Sequence, residues 1–133
     1  MNILQICSKI PYSPKDGGSI AMNILTHGLI DCGNNVDVFS INTPKHFVKD
    51  ESVSKEYKQK TNYQSVFIDT DIKPIDAFLN LFSSKSYNVE RFYSKEFELA
   101  LVDRLKSKEY DIIQLETLWA VSYTHLRAHE TID

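Results

Sequence analysis

Asn2-Ile3-Leu4-Gln5-Ile6-Cys7, running into Pro11-Tyr12-Ser13-Pro14-Lys15-Asp16-Gly17-Gly18, decides the fold class. A short apolar run of this length suits a buried parallel strand better than a helix. Two prolines and two glycines then forbid regular structure, so the chain is expected to turn at the strand's carboxyl end. Ser19 is a candidate cap for a following helix, whose apolar positions Ile20, Ile24, Leu25, Leu29 and Cys32 keep a helical period. Gly33 stands where a left-handed residue should stop it. Strand, glycine loop and helix N-terminus together make an anion-binding corner, because free backbone N–H groups and the helix dipole point at the loop. In α/β sheets ligands sit just outside the strand carboxyl ends, which is where this corner falls.

Outward from there, strands and helices alternate. Val36 to Ile41 is β-branched and bounded by Asn34-Asn35 and Thr43-Pro44, which predicts the second strand. Residues 44 to 62 are polar and read as a surface excursion with one short helix. Ser65 to Asp69 predicts the third strand. Pro74 opens a segment with Ile75, Phe78, Leu79 and Phe82 on one face. Ser94 caps a stronger helix whose stripe is Phe97, Leu101 and Leu105, and Asp111 to Glu116 predicts the fourth strand. This alternation implies an α/β chain with a doubly wound parallel sheet and right-handed crossovers.

The first strand, the Pro11 to Gly18 loop and Leu25 to Val36 with its Gly33-Asn34-Asn35-Val36 link resemble the N-terminal domain of GT-B-fold, family 4 retaining glycosyltransferases. Phe82 to Phe92 and Tyr110 to Glu116 are weaker matches, so the resemblance spans roughly the first 120 residues, about one domain. It implies a Rossmann-like domain over residues 1–120, the acceptor-side half of a GT-B fold. It also implies a nucleotide-sugar donor, a glycan or lipid-linked acceptor, and no metal or other cofactor. The family holds its donor mostly with a C-terminal domain carrying a Glu-x7-Glu pair, and no such domain is expected within these 133 residues. The chain is therefore expected to be inactive alone, with its missing domain as natural partner. The implied setting is cytoplasmic, at most peripheral to the membrane's inner face.

Gly17 and Gly18 would let the backbone approach the donor diphosphate, and N–H donors there would stabilise a negatively charged leaving group. The plain alternative is that the two glycines only make the turn. Lys15 and Asp16, beside them, are acceptor-side candidates or simply solvated charges. Glu116, at the fourth strand's carboxyl end, is expected to face the same cleft and could bind acceptor hydroxyls or assist proton transfer. Many relatives carry a histidine near that point. His46 follows the second strand and would line the acceptor side, or be a plain loop histidine. His27 reads as a packing or surface residue, and no catalytic residue is assigned. Residues 78 to 97 mix Phe78, Phe82, Tyr87, Phe92, Tyr93 and Phe97 with Lys85, Arg91 and Lys95. That mixture fits contact with a membrane surface or lipid-linked acceptor, or a core helix followed by a cleft-edge loop.

Two other classes compete. A stand-alone α/β module would use the glycine corner to hold a phosphorylated ligand without chemistry. A nucleotide-dependent oxidoreductase fits poorly: G-x-G-x-x-G is absent, and the second strand ends in Ser40-Ile41-Asn42 without the carboxylate a ribose needs.

Val121 to Thr131 resembles one reading frame of a transposase-type sequencing adapter, so residues 121–133 are expected to be non-native. His125 and His129 would share a helix face, yet with no third ligand evident they are not read as a metal site. Lys and Arg total 15 against 18 Asp and Glu, a net charge of −3, which leaves no nucleic-acid footprint. Cys7 and Cys32 read as reduced thiols on a strand and a helix end. No run reaches the roughly 20 apolar residues of a membrane helix.

Overall fold

A computed structural model describes residues 1–12, 14–69 and 94–116. They form β1 (Asn2–Cys7), α1 (Gly17–Asp31), β2 (Asn35–Asn42), a 3-10 turn (Asp50–Ser52), α2 (Lys55–Thr61), β3 (Gln64–Phe67), α3 (Lys95–Ser107) and β4 (Ile112–Leu115). The four strands make one sheet in the order β3-β2-β1-β4, with every pairing parallel. The chain moves outward from β1 through β2 to β3 and then returns to the other side of β1. That reversal is the switch point of a doubly wound, Rossmann-like sheet.

Alternation along the two central strands separates the layers. Leu4 and Ile6 of β1 and Phe39 and Ile41 of β2 pack on Phe97, Leu101 and Leu105 of α3. The Phe39 and Phe97 rings meet edge to face with centroids 4.8 Å apart. Cys7 and Val38 face the opposite way, onto Met22 of α1. Each of these large side chains, once fully buried, contributes about 2 kcal/mol. A third group, Ile10, Val53 and Tyr57, seats the excursion between β2 and β3 against the loop after β1. The predicted helix after Pro74, the aromatic stretch of 78 to 93 and the tail from 121 lie outside the described residues.

Helix α1 departs from the sequence reading at both its start and its face. It begins at Gly17, with Asp16 as cap, while Ser19 is the third helical residue of a capping box: Asp16 accepts from the Ser19 N–H and the Ser19 hydroxyl returns to the Asp16 backbone. The buried residues are Ser19, Met22 and Thr26, whereas Ile20 and Ile24 of the expected stripe are exposed, Ile24 by 66 %. The cause lies in the strand beneath. Gln5 is fully buried on β1 and needs polar company. The Thr26 hydroxyl donates to its side-chain oxygen, and the Gln5 amide donates to the Met22 carbonyl at 3.3 Å. This contact turns a polar face inward. The helix stops as expected: Gly33 has φ +91°, and the N–H groups of Gly33 and Asn34 close back onto Ile30 and Leu29.

Candidate functional site

The loops leaving β1 and β2 enclose a cleft of about 300 Å³ at the carboxyl ends of those strands. Its lining includes Lys9, Tyr12, Lys15 and Asp16 from the first loop and Lys45, His46 and Phe47 from the second. Asn42, the last residue of β2, holds the second loop in place. Its amide donates to the Val48 carbonyl at 2.8 Å, and its side-chain oxygen accepts from the Val48 N–H at 3.0 Å. The position where a dinucleotide site would carry an acid is thus occupied by a loop anchor.

Asp16 is the centre of this cleft. Its Oδ1 accepts from the Ser19 N–H at 2.9 Å and from the Ser19 hydroxyl at 3.1 Å, and pairs with Lys9 Nζ at 2.8 Å. Its Oδ2 faces His46 Nδ1 at 4.0 Å, beyond hydrogen-bond reach, and the side chain is 42 % exposed. One carboxylate oxygen is saturated and the other stands open to the cleft. The Lys9 ammonium first, and the Ser19 N–H second, hold this carboxyl well below the usual carboxylate range. A carboxylate so stabilised is a weak base; it accepts hydrogen bonds from hydroxyl groups more readily than it takes their protons.

Gly17 and Gly18 are the first two helical residues, and neither makes a turn. Neither has positive φ, and a Cβ at Gly17 would meet nothing within 4 Å. A Cβ at Gly18 would come within 3.0 Å of Lys9 Cε and Nζ, which the pair with Asp16 holds in place. Packing therefore asks nothing of Gly17, while Gly18 sits close against the Lys9–Asp16 pair.

The structure brings Lys15, Asp16 and His46 into one cleft but not Glu116, which sequence reasoning placed there as well. Glu116 is absent from the lining, and its Oε1 instead accepts from the Gln5 amide at 3.0 Å. The Glu116 charge lies near Cys7, whose thiol is pushed up by burial first and by that charge second. The thiol therefore stays protonated and is no nucleophile. His27 lines a second cleft of about 370 Å³ beyond Tyr12, together with Asn23 and Glu56. Sequence reading missed Lys9 and Asn42. The available signal was their place, one just past β1 and the other at the end of β2, where loop residues converge on ligands. Of the aromatic stretch proposed for membrane contact, Phe97 is described, and it is wholly buried in the core. No described helix is long and apolar enough to cross a membrane.

No family model, curated protein or solved structure matches the chain.

Proposed function

We propose that this chain is the acceptor-side half of a retaining, family 4-like glycosyltransferase that moves a sugar from a nucleotide-sugar donor to a glycan or lipid-linked acceptor. The observation that carries the reading is the Gly17-Gly18 pair at the start of α1. It stands at the carboxyl end of β1 with no turn to make and, at Gly17, no neighbour to accommodate. Side-chain-free N–H groups at a helix N-terminus suit close approach of a diphosphate. Asp16 Oδ2 would take a hydroxyl of the acceptor, with His46 on its far side. On this reading the donor is held mostly by a second domain, as the resemblance implies.

The test is to amplify the source DNA across the Ala120 codon and sequence it without a transposase library. A frame continuing into a second α/β domain with a Glu-x7-Glu pair supports the transferase. A gene that ends at Asp133 sinks it. The second reading, a phosphate-ligand module without catalysis, is favoured by a cleft whose described lining comes from residues 9 to 52. Calorimetric titration with sugar nucleotides and NAD separates the classes, and tight NAD binding would overturn both.

A further inference from the structure

The cleft carries a charge that the chain as a whole does not. Among the described residues, Lys9, Lys15 and Lys45 line it against a single acid, Asp16, in a protein of net charge −3. Lys9 is committed to Asp16, and that pair is neutral. Lys15 and Lys45 have no ion-pair partner among the described residues, so two unpaired lysines remain among those that line one concave surface. The open Asp16 Oδ2 would repel an anion but accept from a hydroxyl. The two halves of the cleft therefore ask for different groups of one ligand. At about 300 Å³ the space lies at the small end of the roughly 300–1,000 Å³ of small-molecule sites, which suits a compact ligand.

We propose that this cleft binds a phosphomonoester that also carries a free hydroxyl, with Lys15 and Lys45 on the phosphate and Asp16 Oδ2 on the hydroxyl. It is a site apart from the Gly17-Gly18 backbone, which does not line the cleft. That the ligand is a sugar acceptor rests on the transferase reading; that the cleft takes a phosphate does not. An apolar rim adjoins it: Phe47, 55 % exposed, meets Phe67, 50 % exposed, with ring centroids 6.0 Å apart. The phosphate can thus belong to a soluble sugar phosphate or to a lipid headgroup whose chain crosses that rim.

The experiment is an amide-resolved NMR titration of the full chain with inorganic phosphate, repeated on the Lys15→Gln/Lys45→Gln double variant. Both lysines are exposed, so the variant keeps the fold. Saturable shifts at Asp16, Lys45 and His46 are expected, weakened about tenfold in the variant by the loss of two exposed charge contacts. No saturation, or equal affinity in the variant, overturns the proposal. Co-sedimentation with phosphatidylcholine vesicles with and without phosphatidic acid then identifies the source. Retention that needs phosphatidic acid and is lost in Phe47→Ser supports a lipid phosphate. Inert vesicles beside saturable phosphate binding support a soluble one. Phosphate binding in a chain whose gene ends at Asp133 would leave this site standing while the transferase fell.

Discussion

Asp37 and Asp16 are both carboxylates held by lysine, at opposite ends of the sheet. Asp37 opens the amino half of β2, and its side chain is 6 % exposed. It accepts from the Tyr110 hydroxyl at 2.6 Å, Lys108 Nζ at 3.1 Å and the Asn62 amide at 3.3 Å, with Arg104 Nη1 at 3.5 Å. These donors come from the end of α2, from α3 and from the approach to β4, so one carboxylate ties three connections to the sheet. Asp16, at the carboxyl end, spends one oxygen on the fold and leaves the other in the cleft. A charge that is fully met by its own chain stabilises, and a charge half met is available to a ligand. The first kind of site should answer to unfolding measurements and the second to titrations.

Removing Asp37 tests that division most sharply. Asp37→Ala leaves Arg104 and Lys108 converging without their anion, and the expected loss is about 4 kcal/mol by urea denaturation. A loss under about 1 kcal/mol would mean the cluster is surface decoration and the comparison fails. Gln5→Leu is next. It keeps the volume but removes the donor to Met22 and Glu116 and the acceptor for Thr26, and should cost about 2 kcal/mol.

Tyr110 gives the Asp37 cluster a pH signature. Its phenol is pushed up to about 12, by burial first and by its bond to Asp37 second. The ordinary value is 10, so the folded chain holds this proton more tightly than the unfolded one. That contribution is complete below pH 10 and drains away as pH rises toward 12. Tyr57 and Tyr63 are also raised by burial and share the alkaline loss. Tyr110→Phe should cost about 1.5 kcal/mol at neutral pH. The variant's stability should also fall less steeply with pH in the alkaline window, and an unchanged slope would remove Tyr110 from it.

Asp16 has the opposite sign and a smaller effect. Its folded carboxyl releases its proton more readily than the ordinary 3.8, so its stabilisation is complete above that value and lost as pH falls below it. Asp16→Asn should be slightly less stable than the parent at pH 7, and the two should converge in acid. A difference that grew in acid would reverse the assignment.

The sheet was legible because its four strands are short apolar runs between strong breakers, too short for helices. Gly33 and Ser94 were legible because caps are local chemistry. The face of α1 was not, since Ile20 and Ile24 offer the larger apolar signal and a pattern does not see what lies beneath. The missing clue was Gln5, an amide in the middle of a buried strand, which demands a polar side chain from whatever packs on it. The site divides in the same way. Lys15, Asp16 and His46 follow strand ends and so fall in the cleft by topology, but the strand-end rule also drew in Glu116, which Gln5 holds elsewhere. The Lys9–Asp16 pair depends on how the β1 loop folds back over seven positions, and no spacing rule announces that.

The smallest expected effect bears on that lesson. If the polar face of α1 is the buried one, the exposed isoleucines contribute little to folding. Ile24→Gln should then change stability by less than about 0.5 kcal/mol. Thr26→Val, which adds no volume but removes the hydroxyl from Gln5, should cost about 1 kcal/mol or more. The apolar period read alone ranks these two the other way, with Ile24 in the core and Thr26 on the surface. Measuring both in one denaturation series decides which residue orients the helix: a larger loss at Ile24 would put the expected stripe inside and leave Gln5 without the partner that positions Glu116.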